Sequence, residues 1–244
     1  MAEVSAIITA MTDNEQHFLK SSILAAQSDP YVAQIIVCVT SGNTWIDEIL
    51  NQLPPHKLEV HRLPMMNLSR VRNYGIRKSR CEWVAFCDGD DVWCDRKTEL
   101  QLRMAYQKQA AFVGADHWLV DADGHTRASG IARYIPMPSS WLVRRDVMLR
   151  YPFDEDVYQG QDGEWWARTK NSVKKYRFPL QLIKYRVRAQ SLSRSHPSKK
   201  RKAWAVKLGE NPVMGKFVLM GTYCVWFLFR RKTYRWHRNW VIET

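Results

Sequence analysis

The run Trp83-Val84-Ala85-Phe86-Cys87-Asp88-Gly89-Asp90-Asp91 constrains this chain more than any other stretch. Its five uncharged residues read as a buried strand. Three carboxylates within the next four residues end that strand abruptly. Acids packed this closely repel each other, and a chain that gathers them at a strand end usually has a cation to hold there. Open α/β sheets bind ligands at the carboxyl ends of their strands, and a metal at such a place can grip a diphosphate. The plainer reading is a solvated acidic turn that leads into the next helix.

The rest of the chain has a matching rhythm. Residues 4–9, 34–39, 58–63 and 83–87 are short apolar runs that read as strands. Helical spacing separates them, over 14–27, from Thr44 to about Leu53 (Thr44 and Asp47 suggesting a capping box), and from a Ser69 cap to Lys78. Strands alternating with helices at this pace predict βαβ units and a mostly parallel sheet. After Asp91 the rhythm changes. Asp95 is placed to cap a helix through about Lys108, and 111–114 and 118–120 read as strands, with Asp121-Ala122-Asp123-Gly124 as a hairpin turn. A short strand at 140–143, helices at 145–150 and 163–171, and late strands at 175–178 and 182–187 complete the pattern.

A chain of 244 residues with 45% hydrophobic content can bury a substantial core. The net charge of +13 is unevenly placed: from Arg194 onward twelve lysines and arginines face only Glu210 and Glu243. The basic character therefore belongs to the tail. Of the five cysteines, none has Cys-x-x-Cys spacing, and Cys38 and Cys87 lie inside apolar runs. They read as small buried hydrophobes in a reducing compartment, and a zinc site is not expected. His117 and His125 read as surface or satisfied polar residues. No signal peptide is evident at the N-terminus.

Just before the acidic strand lies Asn67-Leu68-Ser69-Arg70-Val71-Arg72-Asn73-Tyr74-Gly75. On a helix from Ser69, Arg70 and Asn73 share a face. Arg70 sits in the first turn, where a guanidinium can pair with the carboxylates or contact a phosphate. Alternatively this is a solvated helix face.

In this order the pieces resemble the family 2 glycosyltransferases. The resemblance runs through Val4-Ser5-Ala6-Ile7-Ile8, Ile35-Ile36-Val37-Cys38-Val39, Val71-Arg72-Asn73-Tyr74-Gly75 and Phe86-Cys87-Asp88-Gly89-Asp90-Asp91-Val92-Trp93. It continues in Gln161-Asp162-Gly163-Glu164-Trp165-Trp166-Ala167-Arg168 and in Tyr185-Arg186-Val187-Arg188-Ala189-Gln190-Ser191-Leu192-Ser193. It covers about residues 4–193. It implies the GT-A fold: α/β, Rossmann-like, a mostly parallel sheet flanked by helices, followed here by a basic, partly apolar C-terminal tail. The expected organisation is a glycosyltransferase domain over 1–193, with a nucleotide-sugar-binding part over 1–93 and an acceptor-binding part over 94–193, then a tail over 194–244.

The resemblance also implies roles. Asp90, with Asp88, would hold Mn²⁺ or Mg²⁺ against the donor diphosphate. Thr9, Met11, Thr40, Arg70, Asn73, Asp88, Gly89 and Asp90 would bind the donor. Asp162 would be the general base of an inverting transfer, with a plain helix N-cap as the alternative. Asp91, Trp93, Gln161, Trp165 and Arg188 are second-rank candidates, on the acceptor side or nearby, as is Arg72. The tryptophans could stack on sugar rings or simply fill the core. Three departures from the family pattern stand out. The acid that usually follows the second strand is absent from Val39-Thr40-Ser41-Gly42-Asn43, which leaves UDP, GDP and dTDP donors open. The late histidine is Arg188, a permanent cation rather than a metal ligand. Gln161 stands where the family has an acid.

The tail holds thirteen uncharged residues, 217–229, between Lys216 and Arg230-Arg231-Lys232. As a helix this is roughly 20 Å, short of a ~30 Å hydrocarbon core. An apolar, aromatic stretch flanked by basic residues suits a membrane interface; the alternatives are a core helix and a nucleic-acid surface, the latter the least favoured. The expected enzyme is a peripheral protein of the inner membrane face, using a glycan or lipid-linked acceptor in cell-surface polysaccharide or glycolipid synthesis. Rival readings are a nucleotidyltransferase, which lacks its Gly-rich loop here, and a non-catalytic nucleotide or nucleic-acid binder.

Overall fold

The computed structural model describes residues 4–132, 134–188, 197–230 and 240–241, with backbone alone for 197–199 and 240–241. Its first half runs β1 (Val4–Ala10), α1 (Leu19–Ser28), β2 (Val32–Thr40), α2 (Ile46–Leu50), β3 (Leu58–Leu63), α3 (Leu68–Lys78) and β4 (Trp83–Asp88). Then follow β5 (Val92–Trp93), α4 (Lys97–Lys108), β6 (Phe112–Val120), β7 (Thr126–Gly130), β8 (Leu142–Arg144), α5 (Arg145–Arg150), α6 (Gln161–Arg168), β9 (Lys175–Arg186), α7 (Pro197–Gly209), α8 (Met214–Phe229) and β10 (Trp240–Val241). The sheet order is β10-β9-β6-β8-β4-β1-β2-β3, with β5 on β9 and β7 on β6.

β1 explains the layering. Every one of its residues is buried, and alternate side chains enter different cores. Val4, Ala6, Ile8 and Ala10 pack with Leu19 and Ile23 of α1 and Leu102 of α4. Ile7 packs with Val71 and Ile76 of α3 and with Trp165 and Trp166 of α6. Gly75 lets α3 come this close, because a Cβ there would lie 2.6 Å from Ile7 Cγ2. β1 is parallel to both β2 and β4, so the chain winds outward from it in both directions. The carboxyl ends of β1 and β4 therefore form the crevice where such sheets take ligands.

The structure corrects several expectations. The two strands expected over 111–120 are one, β6, and the two expected over 175–187 are one, β9. Asp116 and His117 look like a break in sequence, but they are buried in a strand whose register against β9 shifts at Ala115/Asp116 and Asp116/His117. α1 starts only at Leu19, after a short 3₁₀ turn at Asp13–Glu15, and the capping box is Thr12/Glu15, not Thr44/Asp47. Asn67, not Ser69, caps α3, accepting from Arg70 N at 2.9 Å. The residue before α4 is Arg96, in the left-handed region at φ 60°, so Asp95 does not cap it.

α8 lies on β7, held by its inner side. Trp226 is buried and donates to Asp116 Oδ2 at 2.8 Å, and Thr222 accepts from Ser129 N at 3.0 Å. Asp116 is itself paired with buried Arg177. The outer side carries Phe217, Met220, Phe227 and Leu228, each more than half exposed. Among the described residues no helix is long and apolar enough to cross a membrane.

Candidate active site

β1 and β4 end side by side, with Thr9 in register with Asp88. The turn that follows is clasped from several directions. Gly89 N donates to Thr9 O at 2.8 Å, and a Cβ on Gly89 would meet Thr9 O and Ala10 Cβ at 3.0 Å. Ser22 of α1 donates to Asp91 O at 2.6 Å and to Gly89 O at 3.1 Å. Ser139 accepts from Asp88 N at 3.0 Å and donates to Asp91 Oδ2 at 2.6 Å. Asp91 Oδ1 accepts from Arg186 N at 3.0 Å. Asp91 is fully buried, and burial, then Asp90 and Asp88, push its carboxyl well above the usual range. It ties the turn to β9, which corrects its placing on the acceptor side.

The other two acids each meet an arginine. Asp88 Oδ1 accepts from Arg72 Nη2 at 2.8 Å and from Thr9 Oγ1 at 3.3 Å. Arg72 is almost wholly buried. Asp90 Oδ2 lies 2.6 Å from Arg188 Nη2. The same guanidinium reaches Glu15 Oε1 at 3.3 Å and donates to Asn14 O at 2.9 Å. Glu15 is fixed in turn by its capping box, accepting from Thr12 N at 2.9 Å and Thr12 Oγ1 at 2.7 Å. Burial raises the Asp90 carboxyl to about 6, with Arg188 opposing and Asp88 and Glu15 adding to the rise. Arg186 spends its guanidinium on carbonyls: Asp90 O at 3.0 Å, Asp121 O at 2.8 Å and Ala122 O at 2.5 Å. It lies over the Phe18 ring at 4.1 Å.

Asp88 and Asp90 have the hard oxygens that Mn²⁺ or Mg²⁺ prefers. Asp88 suits that role, being partly exposed with its second oxygen unpaired among the described residues. Asp90 does not suit it as it stands, because a guanidinium and a dication on one carboxylate repel each other. Among the described residues a group of three with metal-ligand spacing, Asp121, Asp123 and His125, sits on the β6–β7 hairpin, where Asp121 is already paired with Arg127 at 2.6 Å.

The donor candidates divide. Met11 and Thr40 meet at the ends of β1 and β2, Thr40 Oγ1 donating to Met11 O at 2.5 Å. Arg70 and Asn73 do share a face, but it looks away from the acids. Arg70 Nε lies 3.7 Å from Glu155, and Asn73 Nδ2 donates to Glu155 Oε1 at 3.0 Å and to Phe153 O at 2.8 Å. Arg70 thus does not pair with the carboxylates, and Asn73 serves to fasten α3 to the following domain segment. The helix residue that reaches them is Arg72, two positions on.

Trp93 and Trp165 are core, which decides between the two readings offered for them and removes both from the candidate site residues. Trp93 is buried and donates to Phe86 O at 3.2 Å and Ser139 O at 3.1 Å. Trp165 is buried among Phe112, Trp141 and Phe153, and donates to Tyr151 O at 2.7 Å. His117 is also buried, with neither ring nitrogen hydrogen-bonded among the described residues. That corrects its reading as a surface or satisfied residue; burial pushes its pKa well below the usual value. His125 is an exposed partner of Asp121.

Asp162 differs from all of these. It is the second residue of α6, and the N-cap is Gly160 at φ 77°. The N-cap alternative is thereby removed. Its carboxylate has no hydrogen bond or ion pair among the described residues, and it is half-buried. The segment leading to it is pinned to α3: Asn67 Nδ2 donates to Glu155 O at 2.6 Å and Ser69 Oγ to Val157 O at 3.1 Å. One helix therefore carries both Arg72, on Asp88, and the anchors of the Asp162 segment. Gln161 is buried at the start of α6.

Sequence reasoning passed over Glu15, Ser139 and Arg186 and ranked Arg72 too low. The Thr12-x-x-Glu15 spacing of a capping box was a readable sign for the first. Nothing local marks Ser139, whose role depends on a strand pairing distant in sequence.

Comparison with known proteins agrees with this geometry. The model of the glycosyl transferase family 2 matches residues 5–177. The chain is 26% identical over 202 residues to the glycosyltransferase TuaG of Bacillus subtilis (strain 168), assigned to teichuronic acid biosynthesis, covering 74% of this chain and 77% of TuaG. It is 21% identical over 182 residues to the O-antigen biosynthesis glycosyltransferase WbnJ of Escherichia coli, covering 66% of this chain and 71% of WbnJ. Among solved structures, S. aureus TarS 1–349 with UDP-GlcNAc has a TM-score of 0.63 at 14% identity. That match covers 80% of this chain and 61% of the TarS chain, so this chain spans about three fifths of that structure's length. The mannosyltransferase PcManGT of Pyrobaculum calidifontis, solved with GDP-Man and Mn²⁺, has a TM-score of 0.62 at 11% identity and covers 94% and 71% of the two chains. At these identities the likeness is one of fold, and the fold is GT-A.

Proposed function

The chain belongs to glycosyl transferase family 2, and on that premise we propose that it moves a sugar from a nucleoside-diphosphate sugar to a hydroxyl of a glycan or lipid-linked acceptor, with inversion at the anomeric carbon. The observation that carries this reading is the pairing of two kinds of acid on one scaffold. At the strand ends Asp88 and Asp90 are held with arginines, in the crevice where a diphosphate would lie. On α6, Asp162 keeps a carboxylate that no other described group occupies. A free carboxylate takes the proton from an acceptor hydroxyl as that oxygen attacks the anomeric carbon, and the nucleoside diphosphate leaves from the opposite side. One base and one displacement give inversion.

Met11 and Thr40, at the ends of β1 and β2, face the donor base in this reading, and UDP, GDP and dTDP remain its candidate carriers. Neighbours of this fold were solved with UDP-GlcNAc and with GDP-Man. A divalent ion, which Asp88 suits, enters only in competition with Arg188 for Asp90. The polymers named for TuaG and WbnJ support a product at the cell surface. The outer side of α8, about 24 Å long at 1.5 Å per residue, supports peripheral attachment to the cytoplasmic face of a membrane. Its exposed apolar residues lie between Lys216 and Arg230, an arrangement that favours lying in an anionic interface.

The experiment is release of nucleoside diphosphate from a panel of UDP-, GDP- and dTDP-sugars, with membrane lipid extract as acceptor source. One donor turning over only with acceptor present supports the reading; no turnover with any combination removes it. For α8, sedimentation with phosphatidylglycerol vesicles should fall when Phe217 and Met220 are both changed to serine, and unchanged binding would take the helix out of that role.

A further inference from the structure

The acidic turn carries its own counter-charge. Arg72 is buried against Asp88, and breaking that pair would cost the carboxylate its counter-charge. Arg188 is placed differently. It sits just beyond β9, at the rim of the crevice, and about a fifth of its side chain is exposed. Its guanidinium joins two separate pieces of the site: Asp90 of the strand-end turn at 2.6 Å, and the 3₁₀ turn Asp13–Glu15 through Glu15 at 3.3 Å and the carbonyl of Asn14 at 2.9 Å. Its Nε is enclosed and has no hydrogen-bond partner among the described residues. What a ligand can meet is the exposed fifth of the side chain, whose planar fork matches phosphate geometry as well as carboxylate. A divalent ion placed on Asp90 would have to displace it or bear its repulsion.

The geometry points to Arg188 as the cation of the donor site: its guanidinium, anchored on Asp90 and Glu15, meets the charge of the nucleoside diphosphate, so that donor binding by this chain does not depend on a divalent metal. The proposal rests on the nucleotide-sugar reading above and concerns how that same site handles charge. It assigns Asp90 a different task from the one expected of it. Asp90 orients a guanidinium and does not primarily ligate an ion. Arg188 is a binding residue, since it touches the diphosphate itself.

The test is titration calorimetry on the full chain with UDP, GDP and dTDP, in EDTA and in Mn²⁺, for the wild type, Arg188→Ala and Arg188→Lys. The wild type should bind its preferred diphosphate in EDTA within about threefold of its affinity in Mn²⁺. Arg188→Ala should lose about tenfold or more in EDTA, the worth of a charge-assisted hydrogen bond, and recover most of it in Mn²⁺. Arg188→Lys, which keeps the charge without the fork, should fall between them. Mn²⁺ alone, followed by electron paramagnetic resonance, should bind Arg188→Ala at least about tenfold more tightly than wild type, because Asp90 is then released. That last readout is one that a merely misfolded variant could not give. Wild-type binding that collapses in EDTA, or Arg188→Ala binding as wild type does in EDTA, would overturn the proposal. If no diphosphate binds any form in either buffer, the nucleotide-sugar reading itself is wrong, and this inference goes with it.

Discussion

The acids of the strand-end turn and the acid at the start of α6 are handled in opposite ways. Asp88, Asp90 and Asp91 are each matched by a named donor: Arg72, Arg188, and the pair Ser139 and Arg186 N. Asp162 has none. A carboxylate whose oxygens are already hydrogen-bonded fixes geometry and charge, even where burial raises its proton affinity, as it does for Asp90 and Asp91. A carboxylate left open is available to take a proton from something that arrives. In the proposed reaction the difference separates scaffold and binding from chemistry.

The sharpest break of this comparison is Asp162→Asn. The amide keeps the shape of the side chain and removes its basicity. Turnover should fall by about 10²–10⁴-fold, the usual worth of a general base, while the affinity for nucleoside diphosphate and the melting temperature stay at wild-type values. Measured kcat near wild type would mean that the open carboxylate is idle, and the contrast with the strand-end acids would lose its functional meaning.

Arg72→Ala attacks the other side of the comparison. It removes a buried guanidinium from Asp88 and also its contact over the Phe153 ring at 5.7 Å. Breaking a buried ion pair from one side costs about 3–5 kcal/mol. Asp88 keeps some contact with solvent, so the lower end, about 3 kcal/mol by denaturant unfolding, is expected. Asp88→Asn in the same background should return part of that loss, since no carboxylate is then stranded. A double variant no more stable than Arg72→Ala would show that Arg72 acts by packing and not by pairing.

These contrasts were unevenly legible in the sequence. The first four strands, the acidic turn and the position of α3 were readable because each depends on a local pattern: unbroken apolar runs, a charge cluster, helical spacing. The partners of the acids were not. Whether Arg70 or Arg72 reaches Asp88 is decided by which side of α3 packs on Ile7, and that packing involves Gly75 and a strand some seventy residues away. β6 hid its continuity because Asp116 and His117 are polar by type; only the burial of Arg177 and Trp226 against Asp116 makes sense of them. Trp93 and Trp165 invited a sugar-stacking role by type alone, yet their indole donors are consumed by backbone carbonyls inside the core. Asp162 stands out in sequence by its motif, but its lack of a partner among the described residues is a fact of three dimensions.

Lys97 sharpens the comparison from the side of the bases. It is the first residue of α4, fully buried, with its ammonium 4.2 Å over the Trp93 ring and no hydrogen-bond partner among the described residues. Burial lowers its pKa to about 7, against attraction from Asp29 that works the other way. In the unfolded chain a lysine titrates near 10.4. Between those values the unfolded state holds a proton that the folded state has shed, so folding stability rises with pH across that window and the folded state is penalised below about pH 7. Lys97→Met keeps a similar length of chain without the charge. The variant should therefore be more stable than wild type at pH 6, and its advantage should shrink by about 1–2 kcal/mol between pH 7 and pH 9. Unfolding in urea at those three pH values reads this directly. A pH-independent difference would mean that Lys97 keeps its proton in the fold, with the Trp93 ring compensating for the partner it lacks. The buried cation would then be stabilised within the fold as the strand-end acids are, by its surroundings and not by giving up its charge.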